Sequence, residues 1–414
     1  MEPYRIKVIE PIRKITKRER ERALIAADYN LFLIPAREVF IDLISDSGTG
    51  AMSASAWAKI IEAEEDFCGQ KSNADFKRIA REITKFPYIQ PVHQGRAAER
   101  LLFSLILKAK DTVLSNTHFE TTRANIEEIG ATAIDLPSLK PPYCGNIDLN
   151  RLEEIIKKKR VRLIIMTLTN NIKGGQPVSL ENIRETYKLS RKNNILLVFD
   201  ASRFADNAFF IKKYSGNKKS IKEVCQEMFQ FCDIIYLSNK KDGLVNIGGF
   251  IGIKDKNLFE RLEEKIIEQE SYPSSGGLAS RDLAAMAVGL KEALDEDFLK
   301  SHIEKVHFLG NVLKENGVKV FEPIGGHGVV ILPKENFPYA SFSLGAQIYL
   351  ETGVRGGVFG EEYRLALPRR VYTIEHLKFV GESIAEVYKK KLMRLQPINR
   401  PSRFFNFFAR FKKE

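Results

Sequence analysis

Three stretches of the chain are apolar without alternation: VRLIIMTLTNN from Val161 to Asn171, ILLVFDASR from Ile195 to Arg203, and DIIYLSNKK from Asp233 to Lys241. Each is short and rich in Val, Ile and Leu, which predicts strands covered on both faces, as in a parallel sheet. Polar segments of helical character lie between them, SLENIRETYKLSRKNN among them, giving the β-α-β rhythm of an α/β layer. Open parallel sheets hold ligands outside the carboxyl ends of their strands. Asn171, Asp200, Arg203 and Lys241 are therefore expected at one crevice.

Those residue types together suit pyridoxal phosphate. The cofactor requires an amine for its Schiff base, a carboxylate to keep its pyridine nitrogen protonated, and donors for its phenolic oxygen. Lys241, Asp200, and Arg203 with Asn171 would fill the three roles in turn. Taken singly, the Lys240-Lys241 pair reads as a solvated charged turn and Asp200 as a helix cap; the constellation favours the cofactor. Upstream, Gln94-Gly95-Arg96 precedes a helical pattern and would suit a phosphate at a helix N-terminus. Phe119 in NTHFETTR could offer a flat face to the pyridine ring. HQGR as an ordinary turn and Phe119 as a core residue are the alternatives.

In order along the chain stand YRIKVIEPIRK, FIDLISDSGTGAMS, HQGRAAE, HFETTR, NNIKGGQPVS, FDASRFADNAFFIK, SNKKDGLVNIGGF and RLALPRRVYT. With these motifs the sequence resembles the tryptophanase and tyrosine phenol-lyase family, β-eliminating lyases of pyridoxal phosphate fold type I, the aspartate aminotransferase-like α/β fold. The resemblance implies a large domain with a mostly parallel sheet over 47–295. It also implies a smaller α+β domain made of 1–46 and 296–414, and a homotetramer built as a dimer of dimers.

By the same resemblance, Lys241 is the Schiff-base residue and Lys240 its active-site neighbour. Gln94, Gly95, Arg96 and Ser238 form the phosphate cup, Phe119 stacks on the ring, Asp200 meets the pyridinium and Arg203 the phenolic oxygen. Ser47, Asn171 and Arg369 grip the substrate's α-carboxylate; a guanidinium fork meets a carboxylate bidentately and so fixes the Cα geometry. The family also uses a monovalent cation, usually potassium. Its ligands would be the Glu65 carboxylate and the carbonyls of Gly48 and Asn246, an oxygen shell suited to a hard cation.

The departures bear on the leaving group. In EEDFCG, Glu64 to Gly69, Phe67 stands where the family has a tyrosine implicated in protonating the leaving group, and phenylalanine has no proton to give. Glu120, directly after Phe119, could be a replacement acid if its carboxyl were raised by burial or a neighbouring charge; a solvated glutamate is the alternative. In GVRGGVFG, Phe359 falls where tyrosine phenol-lyase has an arginine that engages the phenol, and Val358 replaces a glutamate. An apolar pocket of Phe359 and Phe404 would not orient a phenolate, so a tryptophanase-like carbon–carbon cleavage yielding pyruvate and ammonia is the expected reaction. A thiolate departs without protonation, which makes carbon–sulfur cleavage of cysteine or its S-substituted forms the alternative. An altered paralogue that binds cofactor without turnover is a second.

Composition adds bounds. The 414 residues suffice for two domains with substantial cores. No apolar run reaches membrane-spanning length, the charged N-terminus lacks a signal-peptide core, and four scattered cysteines without metal spacing suggest reduced thiols; a cytoplasmic protein is expected. The formal charge of +12, from 65 basic and 53 acidic residues, is spread along the chain. A solvated lysine-rich surface explains it better than a specific nucleic-acid partner. The expected partner is a small amino acid substrate.

Overall fold

Each of the three apolar stretches forms a strand, and the three lie side by side, all parallel. The structure, a computed structural model, describes residues 2–216 and 218–414. Ser47–Lys300 form one unit; residues up to Asp46 with Ser301–Glu414 form a second.

The larger unit contains a sheet of Tyr88–Val92 (β1), Thr112–Ser115 (β2), Thr132–Asp135 (β3), Val161–Thr167 (β4), Leu196–Asp200 (β5), Ile234–Ser238 (β6) and Gly249–Ile253 (β7). Its order is β1-β7-β6-β5-β4-β2-β3. β7 is antiparallel to both neighbours and every other pairing is parallel. Because β7 reverses direction on both sides, β1 points the same way as β6. The carboxyl ends of β1, β2, β4, β5 and β6 thus share one edge of the sheet. All residues of β6 and β7 are buried, as a strand covered on both faces requires.

Helices cover the sheet because their apolar residues recur at helical spacing. Gly95–Ile106 (α1) buries Ala98, Leu101, Leu102, Phe103 and Ile106, and these join Val113, Leu163, Val198 and Ile251 of the sheet in one core. Burying each large side chain contributes about 1.5–3 kcal/mol. Glu120–Glu128 (α2) follows β2. Leu180–Lys192 (α3), the helix expected from SLENIRETYKLSRKNN, starts where the Ser179 hydroxyl accepts from Asn182 N at 3.1 Å. Phe204–Ser215 (α4) follows β5, and Ser280–Glu292 (α5) comes later in this unit.

The smaller unit contains an antiparallel sheet of Gly328–Ile331 (β8), Gly357–Phe359 (β9) and Glu362–Ala366 (β10), in the order β8-β10-β9. Ile374–Lys389 (α6), capped by Thr373, buries Leu377, Val380, Ile384 and Val387 at three- and four-residue spacing. No described helix is long and apolar enough to cross a membrane. All four cysteines are free thiols, and Cys144, Cys225 and Cys232 are buried.

Candidate active site

β6 ends at Ser238, and the chain turns through Asn239–Leu244 before β7 begins. Lys241 stands in that turn, its carbonyl accepting from Leu244 N at 3.1 Å. The next residue anchors the loop. The Asp242 carboxylate accepts from Ala205 N (2.8 Å) and Asp206 N (3.1 Å), capping the first turn of α4. Lys240 turns its carbonyl to Gly48 N at 2.7 Å. Burial, followed by the charge of Arg96, holds the Lys240 ammonium below the usual lysine range.

Asp200 is the last residue of β5, and its Oδ1 accepts from Ser202 N (3.1 Å) and Ser202 Oγ (2.7 Å). The same hydroxyl accepts from Ser238 N at 3.1 Å, so Ser202 ties the end of β5 to the end of β6. Arg203 is buried, and its Nη1 donates to Asn171 Oδ1 at 3.2 Å. The two residues expected to share the phenolic oxygen are therefore in contact.

Gln94 precedes α1 in extended conformation, and Gly95 opens the helix. A Cβ on Gly95 would stand 3.0 Å from Ser238 Cβ; the absence of a side chain lets the first turn of α1 lie flush against β6. Gln94 Nε2 meets His93 Nε2 at 3.1 Å, and His93 Nδ1 bonds Glu270. Arg96 is exposed. Phe119 and Glu120, both half-buried, form the N-cap and first residue of α2.

Gly48 has φ +76°, a conformation that favours glycine, and a Cβ there would stand 3.0 Å from the Asn246 carbonyl oxygen. Its own carbonyl accepts from Asn246 Nδ2 at 3.0 Å, beside Ser47 in the chain. Gly48 and Asn246 are thus together. The Glu65 carboxylate accepts from Ser280 N (3.1 Å) and Arg281 Nη1 (3.3 Å) at the start of α5. Phe67 is 75% exposed and its ring lies 5.6 Å from that of Tyr272, which carries the hydroxyl that Phe67 lacks.

In the smaller unit Arg369 is fully buried, and its Nη1 meets Asp46 Oδ2 at 2.8 Å. Phe359 packs edge-on against Phe32 at 6.3 Å, and Phe404 reaches the same cluster through Phe407. The surroundings of Phe359 are not purely apolar, because the Arg364 guanidinium lies 4.2 Å over its ring.

Sequence reasoning missed Asp46, Ser202, Asp242, His93 and Glu270. Four of these lie inside motifs already singled out, at FIDLISDSGTGAMS, FDASR, SNKKD and HQGR. What hid them is that each acts on another side chain or backbone group of the site rather than on the crevice itself.

The chain matches the family described as Beta-eliminating lyase over residues 42–383. It is 41% identical to a tryptophanase of Salinibacter ruber, covering 94% of this chain and 90% of the relative. It is 37% identical to a tyrosine phenol-lyase of Clostridium tetani, covering 99% and 97%. Among solved structures it resembles a serine palmitoyltransferase of Sphingomonas wittichii (TM-score 0.63, 13% identity, 84% and 88% covered) and an aminotransferase of Staphylococcus aureus (0.64, 14%, 84% and 93%). Those likenesses bear out the expected fold type.

Proposed function

The chain belongs to the β-eliminating lyase family, and on that premise we propose that it cleaves the β-substituent from tryptophan, leaving pyruvate and ammonia. Pyridoxal 5′-phosphate, the cofactor of this family, supplies an electron sink for the bond that breaks at Cα. One observation carries the residue roles: Asp200, Arg203 with Asn171, Ser238 and Lys241 follow adjacent strand ends, cross-tied by Ser202.

The residues fit the cofactor. Gly95 opens α1 close against Ser238, and the N-terminus of that helix would offer its first N–H groups to a phosphate, with Gln94 and Arg96 beside them. Asp200 would hold a proton at the ring nitrogen, Arg203 would donate to the phenolic oxygen, and Phe119 would cover the ring. Lys241 would hold the cofactor and then carry the Cα proton, with Lys240 beside it. Ser47, Asn171 and Arg369 would orient the α-carboxylate. Glu120 would hold the proton for the leaving group, and Phe359 would face the side chain.

Gly48, Asn246 and Glu65 would hold a monovalent cation, with Glu65 exchanging its contact to Arg281; no step is routed through that ion. A cytoplasmic homotetramer completes the reading. Support for assembly is the helix Ala54–Glu62, on which Trp57 and Ile61, one turn apart, leave an apolar face exposed.

The test is to add pyridoxal phosphate to purified protein, follow visible absorbance, and assay pyruvate from tryptophan, tyrosine and S-methylcysteine in potassium and sodium buffers. Turnover of tryptophan, faster in potassium and by a tetramer in sedimentation, is expected. Lys241→Ala should abolish turnover, and Glu120→Gln should lower kcat about 100-fold or more with the cofactor band intact. Pyruvate from S-methylcysteine alone would refute the tryptophan reading.

A further inference from the structure

Glu99 is a carboxyl group where carboxylates are seldom found. It lies one turn beyond Gly95 and Arg96 on α1 and is buried. Three donors reach it, all from the first two turns of α2: Thr122 Oγ1 to Oε1 at 2.5 Å, Thr121 Oγ1 to Oε2 at 3.2 Å, and Asn125 Nδ2 to Oε2 at 3.2 Å. From the sheet, the titratable groups facing it are Asp200 and Tyr236. These two are cross-strand partners on β5 and β6.

Tyr236 is fully buried, its ring edge-on to Phe103 of α1 at 6.3 Å. Its hydroxyl is directed at Thr122 and Glu99, the same pair that joins the two helices. Burial outweighs the three donors to Glu99 and, with Asp200 adding to it, pushes that carboxyl up to about 7. Burial likewise pushes the Tyr236 phenol up.

A clamp between two helices would account for the hydrogen bonds alone. The position of the cluster goes further. α1 begins at the Gly95-Arg96 segment, α2 begins at Phe119-Glu120, and Asp200 ends β5. Glu99 thus stands one turn from the start of α1, is bonded to the start of α2, and feels the charge of Asp200 at the end of β5, the three segments through which the ring and the phosphate would be held.

We propose that Glu99 is a positioning residue for the pyridoxal ring: it fixes the start of α2, and so Phe119, while its proton sets the charge felt at Asp200. With Glu99 protonated, Asp200 is the single negative charge of the cluster. Loss of that proton to solvent places a second one behind it, and the ring's proton is held more tightly. The inference rests on the proposed meeting of Asp200 with the ring nitrogen.

The test compares wild type, Glu99→Gln and Glu99→Ala. It reads apoprotein Tm, the Kd for pyridoxal phosphate, and the visible absorbance of the loaded protein between pH 5.5 and 9. Wild type should show an inflection near 7. Glu99→Gln should lose it while binding cofactor within about threefold of wild type, since an amide keeps the shape and most contacts. Glu99→Ala, which removes the acceptor for α2, should weaken binding about tenfold or more. An unchanged titration in Glu99→Gln would overturn the proposal. So would a lower apoprotein Tm in both variants with unaltered Kd and absorbance, the mark of a structural clamp only. A wild type that develops no visible band with pyridoxal phosphate would instead overturn the cofactor reading on which the proposal stands.

Discussion

Arg369 and Asp46 are both buried and joined at 2.8 Å. Removing one member of a buried ion pair typically costs about 3–5 kcal/mol, because the remaining charge loses its main compensation. Asp46→Ala is therefore expected to lower unfolding stability by about 3 kcal/mol in urea. It should also raise KM for the amino acid more than it lowers kcat, since the guanidinium loses the carboxylate that sets its angle. An unchanged KM would count against Arg369 as the carboxylate grip. Glu99 makes a second prediction at this scale. Its carboxyl is raised from 4.5 to about 7 in the folded chain. Its contribution to stability is fully present below pH 4.5 and is lost as pH rises through 7, a change of about 3 kcal/mol. Urea midpoints of Glu99→Gln against wild type should converge in acid and separate above pH 7, with the variant the more stable. A constant difference across that range would refute the assignment.

At the scale of elements, the loop after β6 is held by α4 as much as by its own turn. Asp242 satisfies two first-turn N–H groups of that helix, and Arg203 is its N-cap residue. Asp242→Ala should cost about 1–2 kcal/mol of stability and weaken pyridoxal phosphate binding, because Arg203 and Lys241 lose a common anchor; thermal melts and a cofactor titration check both. The strands themselves were legible, since β4, β5 and β6 carry unbroken apolar runs that admit few other structures. So were the residues ending them, because a parallel sheet sends those ends to one edge. Asp242 as a cap was not legible: it serves a helix that begins 242 − 204 = 38 residues earlier, and capping signals are read from a helix's own flank. Glu99 was hidden for the opposite reason. AAERLL reads as a helix with its charged residues outward, and only the meeting of α1 with α2 shows that this carboxyl points inward.

For the whole molecule, the proposed groups are divided between the two units. Gln94, Phe119, Asp200, Arg203 and Lys241 belong to Ser47–Lys300, whereas Arg369 and Phe359 belong to the other. A ligand stabilises what it binds by RT ln(1 + [L]/Kd), about 2.7 kcal/mol at a hundredfold excess over Kd. Local opening reactions report such stabilisation where the contacts are made. Pyridoxal phosphate alone should therefore slow amide hydrogen exchange in the segments around 94–100, 117–123, 168–172, 200–206 and 238–244, leaving 355–370 nearly unchanged. Adding a non-cleavable amino acid, alanine for example, should then slow exchange around Arg369, because its carboxylate is the group proposed to meet that guanidinium. The cofactor step and the substrate step are in this way separable in one experiment. Protection around Arg369 from pyridoxal phosphate alone would make that residue part of the cofactor site. No protection there with alanine present would remove it from the substrate site and leave it a structural role, its pairing with Asp46 included.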